Sequence, residues 1–331
     1  MIKVGLQMPN FSFPGVDDDE LFETVAHVAV TGERHGFDSV WVMDHFYQLP
    51  FLGPVDRNMF EAYTLLGALA ARTTTAQLGT LVTGVTYRNP AILAKQVTAI
   101  DVISKGRAVL GIGAAWYDVE HTGLGVEFPP VAERMDRLEE AVQICRAMFR
   151  DERPTFTGRH YTVEGAINRP APVQPGGPPI LIGGSGERRT LKIAAQYADA
   201  VNLITGPEEI AHKLAVLARH CEAAGRDPKS INTTWLVSAV VGSSGAEADA
   251  ARDAYFSARG MRWEDFDDDA RRLVMSRVFM GTPDAIAQQV LDTAIAPGLD
   301  GVILNFPMHS ADADAIASVG DAVRKAVGGD R

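Results

Sequence analysis

The chain has 331 residues, 46% of them hydrophobic, and a formal net charge of -11. That length buries one large core or two moderate ones, and the acidity argues against nucleic acid or an anionic membrane surface as a partner. Cys145 and Cys221 lack metal or redox spacing, no apolar run is long enough to span a membrane, and no leader pattern opens the chain, so a soluble cytoplasmic protein is expected.

Residues 3–9 read as a strand. Leu21, Val25, Val28, Ala29 and Gly32 share one face of a helix that Gly36 stops. A second strand, 39–45, precedes a helix over 62–72. A third, 76–84, precedes a helix over 90–104 with Pro90 in its first turn. The fourth strand, 107–115, leads into an irregular stretch to Pro130 and then a helix from Val131 to Arg150. Residues 154–178 are hairpin-like and proline-rich. Strands at 179–184, 200–205, 235–242 and 300–306 complete the pattern, with helices over 186–197, 207–224, 282–294 and 311–327. Eight apolar strands, each followed by a helix and nearly continuous in Val, Ile and Leu, predict an α/β fold, a (β/α)8 TIM barrel rather than a doubly wound open sheet. The whole chain, 1–331, reads as one domain, with insertions at about 115–130, 151–178 and 243–280 at the C-terminal mouth.

The second strand ends in Val40-Trp41-Val42-Met43 followed by Asp44 and His45. In a barrel the C-terminal strand ends form the active-site mouth, so these two titratable residues open into a cleft. Two readings stay open: a functional pair, or Asp44 capping a loop while His45 packs. Metal and nucleophile motifs are poorly supported. GIGAAW (111–116) starts like a dinucleotide fingerprint but has Trp116 at the third glycine, and GGSGE (183–187) misses a nucleophile elbow at Glu187. His121 beside Glu120 is too little for a metal site.

LIGGSGERRTLKIAA (181–195) is a strand, a turn with Gly183, Gly184 and Gly186, and a helix start. Glycines admit close backbone approach, and helix N–H groups favour an anion such as a phosphate. Arg188 and Arg189 oppose the dipole of that first turn unless an anion binds there or both point into solvent.

In order and spacing, WVMDHF (41–46), LGTLVTGVTYRNP (78–90), GIGAAWYDVEH (111–121), GLGVEFPP (123–130), PILIGGSGERR (179–189), GTPDAIAQQV (281–290) and LDGVILNFP (299–307) resemble the luciferase-like monooxygenase superfamily, most closely its coenzyme F420-dependent branch. The resemblance runs almost end to end and implies a (β/α)8 barrel binding a deazaflavin ring across its mouth. It implies that Asp44 and His45 contact the ring region, with His45 as proton donor or acceptor. Leu81-Val82, with Thr83, matches a non-proline cis-peptide bulge behind the ring. Gly183, Gly184 and Ser185, with Gly186 and Arg188, match a phosphate cradle, and Trp116 and Glu120 match a loop beside the cofactor. The implied function is hydride transfer between coenzyme F420 and a small organic substrate. Asp44 is expected to favour a charged His45 or fix its tautomer, against the tendency of adjacent strand residues to point apart.

FMN-using relatives share these features. FMN would imply a two-component monooxygenase with a flavin reductase as partner. A non-catalytic flavin-binding protein is the third class, and His45 counts against it. A homodimer is expected on general frequency. The substrate is not legible. Met280, Phe306 and Trp263 read as pocket lining or as core.

Overall fold

The computed structural model describes residues 2–328. Its eight barrel strands are β1 (Lys3–Met8), β2 (Ser39–Val42), β3 (Gln77–Thr80, resuming as Thr83–Gly84), β4 (Ala108–Gly113), β5 (Ile180–Gly183), β6 (Ala200–Leu203), β7 (Asn232–Val241) and β8 (Gly301–Asn305). All pair in parallel, each with the next, and β8 pairs with β1, so the sheet closes on itself. The helices are α1 (Leu21–Arg34), α2 (Ala62–Arg72), α3 (Pro90–Ile103), α4 (Asp118–Leu124), α5 (Val131–Arg150), α6 (Thr190–Tyr197), α7 (Ile210–Ala223), α8 (Gly245–Ser257), α9 (Asp268–Arg277), α10 (Pro283–Val290) and α11 (Ala313–Ala326). The (β/α)8 barrel read from the strand pattern is the architecture.

Local chemistry sets several boundaries. Glu61 caps α2 by accepting from Thr64 N–H at 2.7 Å, and Thr282 caps α10. Pro90 opens α3 behind the Asn89 cap. The buried face of α1 is Leu21, Val25, Ala26, Val28, Ala29 and Gly32, the stripe its spacing predicts, with Glu33 beside it. Inside the ring Trp41 fills the space between β1 and β3. A Cβ on Gly5 would meet its Nε1 at 2.8 Å and one on Gly79 its Cζ3 at 2.8 Å, so one large side chain requires two absent ones.

Four expectations change. The third strand, read as continuous over 76–84, breaks at Leu81-Val82, whose peptide bond is cis as the resemblance implied. Residues 115–130 are not irregular throughout: α4 lies within them, closed by Gly125 in the left-handed region at φ 68°. The 243–280 insertion ends in a further strand, Val278–Gly281, which adds in parallel to the mouth end of β7 beside Ser238–Val241. Finally, no residue of 151–178 lines the mouth cavity. That segment, whose hairpin over 156–163 runs back along α5 with the Tyr161 hydroxyl donating to Val85 O at 3.5 Å, joins the end of α5 to the start of β5, ends that lie away from the mouth. Its loop is tied there by Asp101, which accepts from Val173 N–H at 2.6 Å and Gln174 Nε2 at 2.7 Å. Met280 and Phe306 are core, and Trp263 packs on Phe256 and Phe266 within the insertion. Among the described residues no helix is long and apolar enough to cross a membrane.

Candidate active site

Beyond Val42 the chain leaves β2 at the barrel mouth, and Asp44 and His45 part company. The Asp44 carboxylate, 2% exposed, takes a bidentate pair of bonds from Arg88 at 2.7 and 3.0 Å and a third from Gly84 N–H at 3.2 Å. Arg88 also donates to Glu61 at 2.6 Å and lies over the Tyr63 ring at 4.6 Å. Burial pushes the Asp44 carboxyl upward, while Arg88 and the Gly84 N–H act against that shift. Burial also acts to lower Arg88, but Asp44 and Glu61 outweigh it and hold the guanidinium above its ordinary value. The fork geometry keeps the pair ionic. Asp44 is thus a buried anchor that ties β2 to the segment after β3.

His45 answers to a different carboxylate. Its Nδ1 lies 2.7 Å from Glu120 Oε1, and Glu120 is fully buried. Glu120 Oε2 accepts from the N–H groups of Phe46 at 2.8 Å and Tyr47 at 3.3 Å, and the Tyr87 hydroxyl donates to Oε1. Burial acts to raise Glu120, but the bonds from His45, Tyr87 and Phe46 prevail and hold it below the usual carboxylate range. Burial and the Glu120 charge push the Tyr87 phenol well up, so it serves as a donor. An ionised Glu120 places the His45 proton on Nδ1 and leaves Nε2 as the nitrogen for the cavity. The tautomer is therefore set by Glu120, 75 positions away, and not by the neighbouring Asp44. His121, next in sequence, is structural: it bonds Thr86 Oγ1 and Tyr117 O, each at 2.7 Å.

His45 lines a cavity of about 520 Å³ at the mouth, within the size range of cofactor sites. Leu81, Val82, Gly113, Gly183 and Leu236 give it an apolar wall, and Trp116 and Phe51 stand at the rim. The glycines explain themselves through the bulge. A Cβ on Gly113 would come within 2.9 Å of a Val82 methyl, and one on Gly183 within 2.8 Å. GIGAAW is therefore a clearance motif for β3, not a nucleotide fingerprint. Thr83 lines the same wall, but its hydroxyl is committed to Tyr63 at 2.6 Å and Thr80 at 2.8 Å.

Of the residues singled out from sequence, Asp44, His45, Leu81, Val82, Thr83, Trp116 and Gly183 line this cavity, and Glu120 stands directly behind His45. Gly184, Ser185, Gly186 and Arg188 lie outside it, in the turn after β5. Gly184 adopts φ 129°, and Ser185 Oγ accepts from Ile204 N–H at 2.7 Å. The dipole conflict expected there does not arise. α6 begins at Thr190, after both arginines; Arg189 turns to Asp136 on α5 at 2.6 Å, and Arg188 is exposed.

Arg88, Tyr87, Glu61, Gln7, Ser238 and Asn305 were not singled out. Tyr87 and Arg88 sit inside the quoted GVTYRNP stretch, but their partners are 33 and 44 positions distant, beyond any local pattern. An Asn ending an apolar strand, as in DGVILNF, was the signal available for Asn305.

The luciferase-like monooxygenase family matches residues 2–300 of the chain. An F420-dependent glucose-6-phosphate dehydrogenase of Kineococcus radiotolerans is 35% identical over 214 residues, 63% of this chain and 61% of the relative. An F420-dependent hydroxymycolic acid dehydrogenase of Mycobacterium tuberculosis is 34% identical over 229 residues, 69% of this chain and 61% of the relative. These matches thus span about three fifths of each relative's length. Among solved structures, the monooxygenase RslO1 from Streptomyces bottropensis superposes with a TM-score of 0.81 at 22% identity, over 98% of this chain and 99% of that one, a likeness of fold. The chain belongs to the luciferase-like monooxygenase family.

Proposed function

From that membership we propose an oxidoreductase that binds coenzyme F420 and transfers a hydride between it and a small alcohol or the corresponding carbonyl compound. The observation that carries the reading is His45: its Nδ1 is held by buried Glu120 while its ring borders an apolar cavity. The two dehydrogenases named above support the cofactor and the alcohol class. The cavity residues fit a flat heterocycle. They present a smooth wall at Leu81, Val82, Gly113 and Gly183, where a Cβ on either glycine would meet Val82 at 2.9 or 2.8 Å. The turn at Gly183–Gly186 is the proposed phosphate cradle, with Arg188 as the nearby cation. The whole chain is taken as one barrel unit.

When bound, the deazaflavin supplies a two-electron carrier that takes or gives hydride at carbon. The rest is the chain's work. His45 Nε2 accepts the hydroxyl proton of an alcohol, or returns it to a carbonyl oxygen. Glu120 is a positioning residue that fixes the ring; Tyr87 holds Glu120 in turn. Leu81, Val82 and Leu236 exclude water from the reacting centre.

The test is His45→Ala against the parent, with coenzyme binding and deazaflavin reduction measured separately on a panel of secondary alcohols. The variant is expected to bind F420 as the parent does and to lose about 10²–10⁴-fold in turnover. Parental turnover would overturn the role of His45, and turnover with FMN and oxygen in place of F420 would move the chain to the two-component branch with a reductase partner.

A further inference from the structure

A second cavity, of about 940 Å³, adjoins the first: Phe51, Leu52 and Arg259 line both. It is walled by 10–14, 50–57 and 307–312, the segments that follow β1, β2 and β8, and by 258–261 just after α8. The glycine turn after β5 stands on the far side of the ring of strands from β1. An anion held in this vestibule is therefore not the one held in that turn.

Charge sets the vestibule apart from a chain of net charge -11. Arg57 and Arg259 line it, and neither makes an ion pair among the described residues. The one carboxylate in its lining, Asp312, is engaged elsewhere: it caps α11 by accepting from Ala315 N–H at 2.9 Å, and its other oxygen faces His309 Nδ1 at 3.6 Å.

The two guanidinium groups are themselves located by their contacts. Arg259 Nη1 donates to Tyr255 O at 2.8 Å, Nη2 lies 3.5 Å from Phe51 O, and Cζ stands 3.7 Å from the centre of the Tyr255 ring. Phe51 and Tyr255 both border the reaction cavity, so the charged end of half-buried Arg259, and not only its stem, sits where the two spaces meet. Arg57 is exposed and lies along Gly53, where a Cβ would come within 3.3 Å of its Nε and 3.6 Å of its Cζ. Backbone carbonyls engage only part of the donor fork of Arg259 and neutralise none of its charge. Two unneutralised cations in a concave wall focus their field into the space they enclose.

We infer that the vestibule receives an oxyanion on the substrate, held by Arg259 and Arg57, while the alcohol or carbonyl at the other end of the same molecule reaches His45. The substrate class is thus a hydroxy acid and its keto acid, or a chain ending in another oxyanion of the same chemistry. The inference rests on the hydride-transfer reading of the first cavity and deepens it. A planar fork suits an oxyanion because two N–H groups donate to it together.

The probes are 4-oxopentanoate, 6-oxoheptanoate and 8-oxononanoate, each against the amide of the same chain, so that charge alone differs. Oxidised F420 has no hydride to give a ketone, so binding is read without turnover, by titration calorimetry on F420-loaded protein and on protein without coenzyme. The parent is expected to bind at least one acid about tenfold more tightly than its amide. Arg259→Gln and Arg57→Gln are each expected to lose most of that preference with amide binding and F420 affinity kept, and Arg259→Lys to retain part of it. Arg57 stands on a separate segment, so its variant carries the test where Arg259→Gln fails to fold. No acid preference in the parent at any length, including binding of neither probe, overturns the inference. So does a preference that survives both Gln substitutions, or a loss of amide binding equal to that of the acid. A loss of about tenfold in F420 affinity in the variants assigns the arginines to the coenzyme's own anionic groups and also overturns it. Failure of the hydride-transfer reading shows separately, as acid preference in a protein that binds no F420, or as F420 bound and not reduced by the matching hydroxy acids.

Discussion

Replacing Arg88 with Met isolates what the buried ion pair contributes. The substitution removes both bonds to Asp44, at 2.7 and 3.0 Å, and leaves a 2% exposed carboxylate with only the Gly84 N–H at 3.2 Å. Breaking a buried pair from one side costs about 3–5 kcal/mol, a large share of the ~5–15 kcal/mol that holds a typical protein folded. The cost depends on pH with a definite sign. Without Arg88, burial raises the folded-state pKa of Asp44 further above its unfolded value, so its ionisation opposes folding. The deficit is full at neutral pH and shrinks as pH falls through that raised pKa. Asp44→Asn in the same chain removes the orphaned charge and is expected to recover most of the loss, whereas Asp44→Asn alone costs less because Arg88 keeps Glu61 at 2.6 Å. Urea unfolding of the parent, both single variants and the double variant, at pH 7 and pH 5.5, measures the full cycle. A loss below about 1 kcal/mol for Arg88→Met, or a double variant no more stable than that single one, refutes the buried-anchor account.

Other outcomes follow from the same geometry. Glu120→Gln keeps the shape beside His45 but removes the carboxylate that holds its Nδ1 at 2.7 Å; turnover is expected to fall about 10²-fold or more with F420 affinity kept. Parental turnover would show that Glu120 does not act through His45. Gly183→Ala sets a methyl 2.8 Å from Val82 and pushes that side chain into the cavity, so F420 affinity is expected to fall by at least about tenfold, read by fluorescence titration; unchanged affinity counts against the bulge as the ring's wall. Glu33 accepts N–H bonds from Thr74 at 2.8 Å and Ala76 at 3.0 Å and bonds from Thr75, which outweigh burial and bring its pKa down to about 2. A depressed folded pKa stabilises the protein above the unfolded value of 4.5, and the contribution fades as pH falls from there toward 2. Glu33→Gln is thus expected to cost about 3 kcal/mol at pH 7 and to flatten the acid limb of the stability curve, measured by denaturant unfolding across pH.

The barrel was legible because its information is local. Strand runs of Val, Ile and Leu, the Pro90 start and the apolar stripe of α1 need only neighbours in sequence, and the 62–72 and 131–150 helices fall where their periodicity puts them. α4 was missed because DVEHTGL is seven residues without an apolar repeat, and its buried members are Glu120 and His121. The extra strand at Val278–Gly281 exists because β7 projects beyond its barrel neighbours, a length sequence does not display. The site was half legible. Asp44 and His45 stand out as charge ending a buried strand, yet which carboxylate serves the imidazole depends on α4 folding back over β2. The same holds for Asn305, whose amide is held in a relay to Gln7 and Leu81 on two other strands.

The most direct test of the central claim is an equilibrium fluorescence titration of the purified protein with coenzyme F420 and, separately, with FMN. Saturable one-to-one binding of F420 is expected, weakened by Gly183→Ala and retained in His45→Ala, with weaker binding of FMN. Binding of FMN in preference to F420 would contradict F420 dependence.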